Sequence, residues 1–524
     1  MRPRFVLTYA LCLLLLLSPI LPTGKAIAAG VKPGATCKKL GQKSIASNKQ
    51  YSCIKSSNKL VWSKGVALIL PTPVVKNDYA NTFSTDQDYF IDFIGGPCQL
   101  DTELTGQLAQ IQQYFYSFNS CAGQMRLAKY SLGAKRPLTT YSPSTSFSDT
   151  KSCKLVTPGN AQGNLGFTTD SAGRNSYADV RRHPSPNSVI QLIPIYAEDT
   201  AAVKNTPSGD YKVFLDYVKS WIEYSSDFGS KVKVQIPDRY IKFPGKISTY
   251  GLFHENNHNT PSHLKFNSDV VAAVDSEIDF TGVNFAIIVP PAGTDASVLG
   301  QAALNTLNTA EGSVGFALSQ YAAFAANPLS SKFTNLSHPF WWIHESFHAG
   351  FGFDDHYGDS QRNISTEYGM GWLTMMTPWG GDLTVWEKWI LGFMQDSQIQ
   401  CLSNPTTTTH WIAPATVQSQ ESKAVIIPIS PSRVIVVESR RAAGLNYKDP
   451  KSSQGVMVYE IDLTKTGHGL GMKLILPTNR IPSSYPFFMA DYPLKLNESA
   501  TVDGIQIKVI ESGTYGDVVR ITKG

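Results

Sequence analysis

Apolar positions along the chain fall into three regimes. In the first, Phe5 to Leu21 is almost continuously apolar, preceded by Met1-Arg2-Pro3-Arg4 and followed by Ala26-Ile27-Ala28. Positive charge, apolar run and small residues succeed one another in the order of a secretory signal. Ser18-Pro19 interrupts the run, which favours cleavage near Ala28 over retention as a membrane anchor. In the second regime, apolar residues recur at helical spacing between short continuous runs. Leu104, Leu108, Ile111, Phe115 and Phe118 predict a helix over 103–118. Phe214, Leu215, Val218, Trp221 and Ile222 predict a second, amphipathic one. Val189 to Ile195 and Phe285 to Val289 read as buried strands, and Thr139 to Asp149 as a loop. In the third regime, beyond about residue 401, helical periodicity fades. The runs Ala424 to Ile427, Val434 to Val437 and Ile505 to Val509 predict a C-terminal β-sandwich. The whole reads as α+β.

At 524 residues the chain exceeds what one core usually serves, so several domains are expected. Its 17% charged residues argue against a disordered, self-repelling chain. Formal charge is +5, and without Arg2, Arg4 and Lys25 it is +2. That balance excludes an electrostatic nucleic-acid footprint as the first expectation. No second stretch is long and apolar enough to span a membrane, so the mature protein is expected to be secreted, without a membrane span, and monomeric.

Once Cys12 leaves with the signal, six cysteines remain, an even number that suggests disulfides in an exported chain. Cys37 and Cys53 are expected to pair, because the small unit over residues 30–66 is too short to hold itself together by burial. Cys98 with Cys121 is the next pairing, leaving Cys153 for Cys401. None has the C-x-x-C spacing of a zinc site.

Two segments match H-E-x-x-H, in which two imidazoles one helical turn apart flank a carboxylate. The first, His254-Glu255-Asn256-Asn257-His258, continues into Asn259-Thr260-Pro261-Ser262-His263. Two asparagines, a threonine and a proline make a poor helix, so this match reads as a solvated loop without metal. The second, His344-Glu345-Ser346-Phe347-His348, lies in a better context. Ser337 can cap a helix, Pro339 suits its first turn, and Phe340, Ile343, Phe347 and Phe351 form an apolar stripe. His344 and His348 then share another face, with Glu345 beside them. A third ligand for a tetrahedral zinc is offered by Asp354, Asp355 or, less directly, His356.

Here the chain resembles the metzincin zinc peptidases, in particular the immune inhibitor A family of secreted bacterial metallopeptidases. That family's pattern is H-E-x-x-H-x-x-G-x-x-D, often continuing as G-L-P-D-L-Y. Counting from His344 gives Asp354 but puts Phe351 at the glycine position. Aligning Gly352-Phe353-Asp354-Asp355-His356-Tyr357 on the second motif gives Asp355 with one inserted residue. The third ligand therefore stays open between these two aspartates. Gly371-Trp372-Leu373-Thr374-Met375-Met376 is similar to the family's W-x-x-M turn beneath the zinc, with Met375 fitting best, in a packing role. Asp382 to Gly392 resembles the helix that follows, with Asp382 as its cap, and Val456 to Asp462 and Leu494 to Val509 the C-terminal β region. The resemblance implies a metzincin-like zinc peptidase domain over 201–400, between residues 67–200 (a propeptide or β-rich domain) and a β-sandwich over 401–524. A signal over 1–29 and the cysteine-paired module over 30–66 come first. It also implies zinc as cofactor, held by His344, His348 and Asp354 or Asp355, Glu345 as catalytic base, and protein or peptide substrates. Calcium enters on the resemblance alone. Competing readings are a binding or adhesion protein that keeps the scaffold without turnover, and a zinc hydrolase of cell-wall material.

Overall fold

The computed structural model describes residues 31–46, 49–67, 83–93, 123–132, 135–156, 165–167, most of 187–319, 339–348, 353, 355–356, 369–370, 373–376 and most of 382–523. The expected signal, the helix over 103–118 and the Cys98–Cys121 pair lie outside the described residues. Two compact units, 1–74 and 75–524, are taken separately.

The first unit is a small antiparallel sheet. Strands β1 (Lys43–Ala46), β3 (Lys59–Trp62) and β4 (Val66–Ala67) all pair with β2 (Lys49–Ser56). Cys37 and Cys53 form the expected disulfide, and with Tyr51 and Trp62 they make up its core. Gly65 closes the unit at φ +74°, where an added Cβ would meet the Tyr51 ring at 2.8 Å. Only glycine satisfies both constraints.

The second unit mixes helices and sheets. Strands β5 (Phe83–Phe93) and β6 (Gly123–Leu132) form an antiparallel pair. A six-stranded sheet follows, built from β7 (Asn187–Tyr196), β8 (Lys231–Gln235), β9 (Ile241–Lys242), β10 (Phe285–Val289), β11 (Ala302–Thr309) and β12 (Gly312–Ser319). Its order is β11-β12-β10-β7-β8, with β9 also on β7, and every pairing is parallel except β11 with β12. Both expected strands are in it. Ile190, Leu192, Phe285 and Ile287 face one apolar core, and Ile193, Ile195, Ala286 and Ile288 face another. Burial on both faces explains why these strands read as continuous apolar runs.

Helix α1 (Pro207–Ser225) covers the first face. Thr206 caps it by accepting from the Gly209 N–H at 3.1 Å, and Phe214, Leu215, Val218, Trp221 and Ile222 are all buried as the periodicity predicts. Helix α2 (Pro261–Val274) covers the second face through Phe266, Val270 and Val274. This helix corrects the sequence reading. Thr260 and Pro261, taken there as helix breakers, are its N-cap and first residue. His263 is buried beside the cap, its Nδ1 2.7 Å from Thr260 Oγ1. The motif at 254–258 itself lies outside the described residues.

Helices α3 (Pro339–Ser346) and α4 (Val385–Ile390) follow. Two further sheets close the chain. One has the order β13 (Ile399–Cys401), β15 (Ala424–Ser430), β16 (Arg433–Arg440), β17 (Gly455–Asp462), β18 (Met472–Leu474). The other has the order β14 (Thr408–Ile412), β21 (Gly516–Lys523), β20 (Ile505–Gly513), β19 (Ser499–Val502). Alternation along the first of these sheets is strict. Val425, Ile427, Ile435, Val437, Val456 and Val458 face the second sheet across a shared core. Ala424, Ile426, Val434, Val436, Met457 and Tyr459 face the core that contains α1, α3 and α4. Residues on either side of positions 200 and 401 thus share one apolar interior. Cys153 and Cys401 form a disulfide, so this expected pair is present.

Candidate metal centre

Helix α3 carries the H-E-x-x-H residues and is fixed by aromatic packing. Trp342 stacks on Phe214 of α1 with centroids 5.1 Å apart, and Phe347 meets Trp221 edge-on at 5.2 Å. Ile343 and Phe347 are fully buried, as the predicted stripe requires. The helix widens into a π turn at Phe347 and His348, an irregularity often found at functional sites. Ser337, Phe351 and the flanking glycines lie outside the described residues.

His344, His348 and Asp355 converge. His344 Nε2 lies 3.0 Å from His348 Nε2 and 3.0 Å from Asp355 Oδ1, and His348 Nε2 lies 3.1 Å from the same oxygen. Four-coordinate zinc with ligand bonds of about 2.0–2.1 Å places its ligand atoms about 3.3 Å apart, so the three atoms match such a triangle to within a few tenths of an ångström. Each imidazole is oriented from behind. His344 Nδ1 lies 2.9 Å from the Met375 carbonyl and His348 Nδ1 2.6 Å from that of Phe353. A carbonyl accepts from N–H, so each ring, in its neutral form, presents its Nε2 lone pair to the common point. The donor set of two imidazoles and a carboxylate suits zinc and other borderline divalent ions.

Electrostatics agree with a site built for positive charge. Burial acts to lower the His348 pKa, but the Asp355 carboxylate, with help from Glu345, raises it to about 10. Asp355 shows the reverse: burial would raise it, and the two histidines hold it well below the usual carboxylate range. Glu345 is half-buried on α3, near enough for its charge to act on His348.

The ligand-bearing segments are cross-braced. The His356 N–H donates to the Met376 carbonyl at 2.7 Å, and the Met370 N–H donates to the His356 carbonyl at 2.7 Å. Asp355 is thereby tied through its neighbour to the turn that supports His344. Met375 and Met376 are buried, and Met375 reaches the site through its main-chain carbonyl. Arg440 of β16 donates to the Leu373 carbonyl at 2.9 Å, so the terminal sheet also supports the turn. His356 does not join the metal group. Its buried ring faces Glu387 of α4, with Nε2 3.3 Å from Oε1. Burial acts to raise Glu387, but His356, the Thr384 N–H and the Thr374 hydroxyl outweigh it and lower its pKa.

Helix α4 differs from its expected start. Thr384, not Asp382, is the cap, in a reciprocal capping box with Glu387. Asp382 instead accepts from Ser225 Oγ at 2.7 Å and the Leu383 N–H at 2.8 Å, and pairs with buried Lys388. The next helix donors are met by the terminal sheet: Val385 N–H by Glu438 at 2.8 Å and Trp386 N–H by the Tyr459 hydroxyl at 3.2 Å.

Of the residues singled out from sequence, the structure brings together His344, His348 and Asp355, with Glu345 beside them. Asp354, the competing third ligand, lies outside the described residues. Sequence reasoning did not find the Met375 and Phe353 carbonyls or the His356–Glu387 brace; backbone acceptors leave no signature in residue identity. A cleft of about 580 Å³ lined by Tyr196, Asn205, Thr206, Arg239 and Tyr240 contains none of the metal-group residues. Searched against protein-family models and curated proteins, the chain matches none.

Proposed function

We propose that the protein is a secreted zinc-dependent metallopeptidase that hydrolyses peptide bonds, of the kind represented by the immune inhibitor A family. The observation that carries this reading is the convergence of His344, His348 and Asp355 within 4.8 Å, with Glu345 one residue from the first histidine. Zinc, when bound, supplies a Lewis acid for the scissile carbonyl and lowers the pKa of water to about 7. The two imidazoles and the Asp355 carboxylate hold it, and the carbonyls behind the rings keep them in one tautomer. Glu345 takes a proton from the attacking water and returns it to the leaving amine, so a single carboxylate serves as base and then acid. Disulfides of the kind seen here persist in oxidising compartments, which supports an extracellular site of action.

Glu345→Gln tests the assignment. It retains stoichiometric zinc while cleavage of an unfolded protein such as casein falls by about 10²–10⁴-fold. A variant that cleaves as fast as the parent overturns the role of Glu345. Zinc binding without cleavage in the parent favours instead a binding protein on a peptidase scaffold, the reading motivated by Phe351 at the family's glycine position.

A further inference from the structure

The small unit over residues 31–67 has a charge unlike the rest of the chain. It contains eight lysines, no arginine and no acidic residue. Residues 68–524 hold 35 basic and 41 acidic residues, a formal −6 spread over a body twelve times longer. The near-neutral whole thus conceals a unit of +8.

Lys32, Lys38, Lys39, Lys43, Lys49, Lys55, Lys59 and Lys64 are all exposed. Register places the four that lie in strands on both sides of the sheet. Lys43 is opposite Ser52 and Lys59 opposite Ser56, on the face that carries Ile54. Lys49 and Lys55 alternate with these, on the side of Tyr51 and Cys53. Lysine is a compact point charge that suits single anionic oxygens, whereas arginine dominates where planar bidentate recognition is needed.

We propose that this unit is a docking module for a flexible, linear, phosphate-bearing polyanion. Three observations select that partner. A flat membrane meets one side of a sheet, whereas a flexible chain can follow lysines around both. Among the described side chains of the unit, the only large apolar ones strongly exposed are Leu40 and Ile54, too few to wedge into lipid. Single-stranded nucleic acid, the flexible alternative, is held without sequence preference by aromatic stacking platforms, yet the unit's two aromatics, Tyr51 and Trp62, are buried in its core at 5% and 8% exposure. The disulfide keeps this surface folded without a large core. The inference is independent of the peptidase reading and concerns where the chain is held.

The test is a titration of the full-length exported protein with inorganic polyphosphate across about 50–200 mM salt. With about five lysines engaged, affinity should fall by about 10² over that range, from a log–log slope near −0.7 per contact. Replacing Lys38, Lys39, Lys55 and Lys59 by Gln should roughly halve that slope and weaken binding by more than tenfold at low salt. Thiol titration and an unchanged thermal transition show that this variant keeps its disulfide and fold. Parallel titrations use phosphatidylglycerol vesicles, single-stranded DNA and uncharged dextran. The proposal is overturned if polyphosphate does not bind at low salt, if the four replacements leave the slope unchanged, or if vesicles or DNA bind more tightly than polyphosphate.

Discussion

Asp355→Asn removes the only anionic member of the metal group while preserving its shape. In the structure its Oδ1 is 3.0 and 3.1 Å from the two imidazole Nε2 atoms. No other carboxylate among the described residues joins that group. Structural zinc sites release about 10–16 kcal/mol over four ligands, so one ligand accounts for about 3–4 kcal/mol. An amide oxygen keeps part of that contact but none of the charge, and zinc affinity should fall by about 10²–10³-fold. The measurement is a competition titration of the dialysed protein against a zinc chelator, with elemental analysis for stoichiometry. Asp396→Asn is the matched control: that carboxylate also accepts several hydrogen bonds, from Thr150, Lys154 and Trp389, but lies outside the metal group. Its affinity should stay within about threefold of the parent. The reasoning fails if the parent binds less than stoichiometric zinc. It fails equally if Asp355→Asn binds as tightly as the control while Asp354→Asn does not.

Other expectations concern stability. Breaking Cys153–Cys401, which spans 248 residues, by serine at both positions should cost about 4 kcal/mol in urea unfolding; the chain-entropy ceiling is about 5.5 kcal/mol. His410 lies between Gln400 Oε1 and Thr408 Oγ1, and burial lowers its pKa to about 4 from the model-peptide value of 6.5. The unfolded chain therefore takes up this proton first as pH falls. About 3 kcal/mol is lost between pH 6.5 and 4, and His410→Gln should flatten that part of the stability–pH curve. Glu438 runs the other way. Burial raises it to about 7, so its contribution is present below the ordinary carboxylate range and lost as pH rises toward 7. Glu438→Gln should accordingly show less loss of stability between about pH 4.5 and 7 than the parent does, measured by thermal unfolding.

Much of this molecule was legible because burial on both faces leaves a plain mark. Val189 to Ile195, Phe285 to Val289, Ala424 to Ile427 and Val434 to Val437 read as apolar runs, and each faces two cores, whereas Ile505 to Val509 alternates and buries one face. The stripe of Ile343 and Phe347 was legible for a different reason: one face of the helix is buried, and Phe347 packs on Trp221 of α1. What escaped notice was governed by local backbone chemistry. Thr260-Pro261 has the composition of a turn, yet the same residues can start a helix, and Phe266, Val270 and Val274 decide between the two. Asp382 and Thr384 are both acceptable caps; the capping box selects Thr384, while Asp382 is needed by Lys388. Asp354 or Asp355 as third ligand hinged on one inserted residue after His348, which counting alone does not settle, and Asp354 lies outside the described residues. Chain geometry brings Asp355 to the pair by tying His356 to Met376 and Met370.

The sheet of β13 and β15–β18 is apolar on both surfaces, and its Arg440, Glu438 and Tyr459 reach across to the methionine turn and the start of α4. The histidine-bearing half of the second unit therefore has no floor of its own. A shortened chain ending near residue 400 would present an oily slab to water and lose its grip on the turn behind His344, so recombinant work on the histidine-bearing half must keep the C-terminal strands attached.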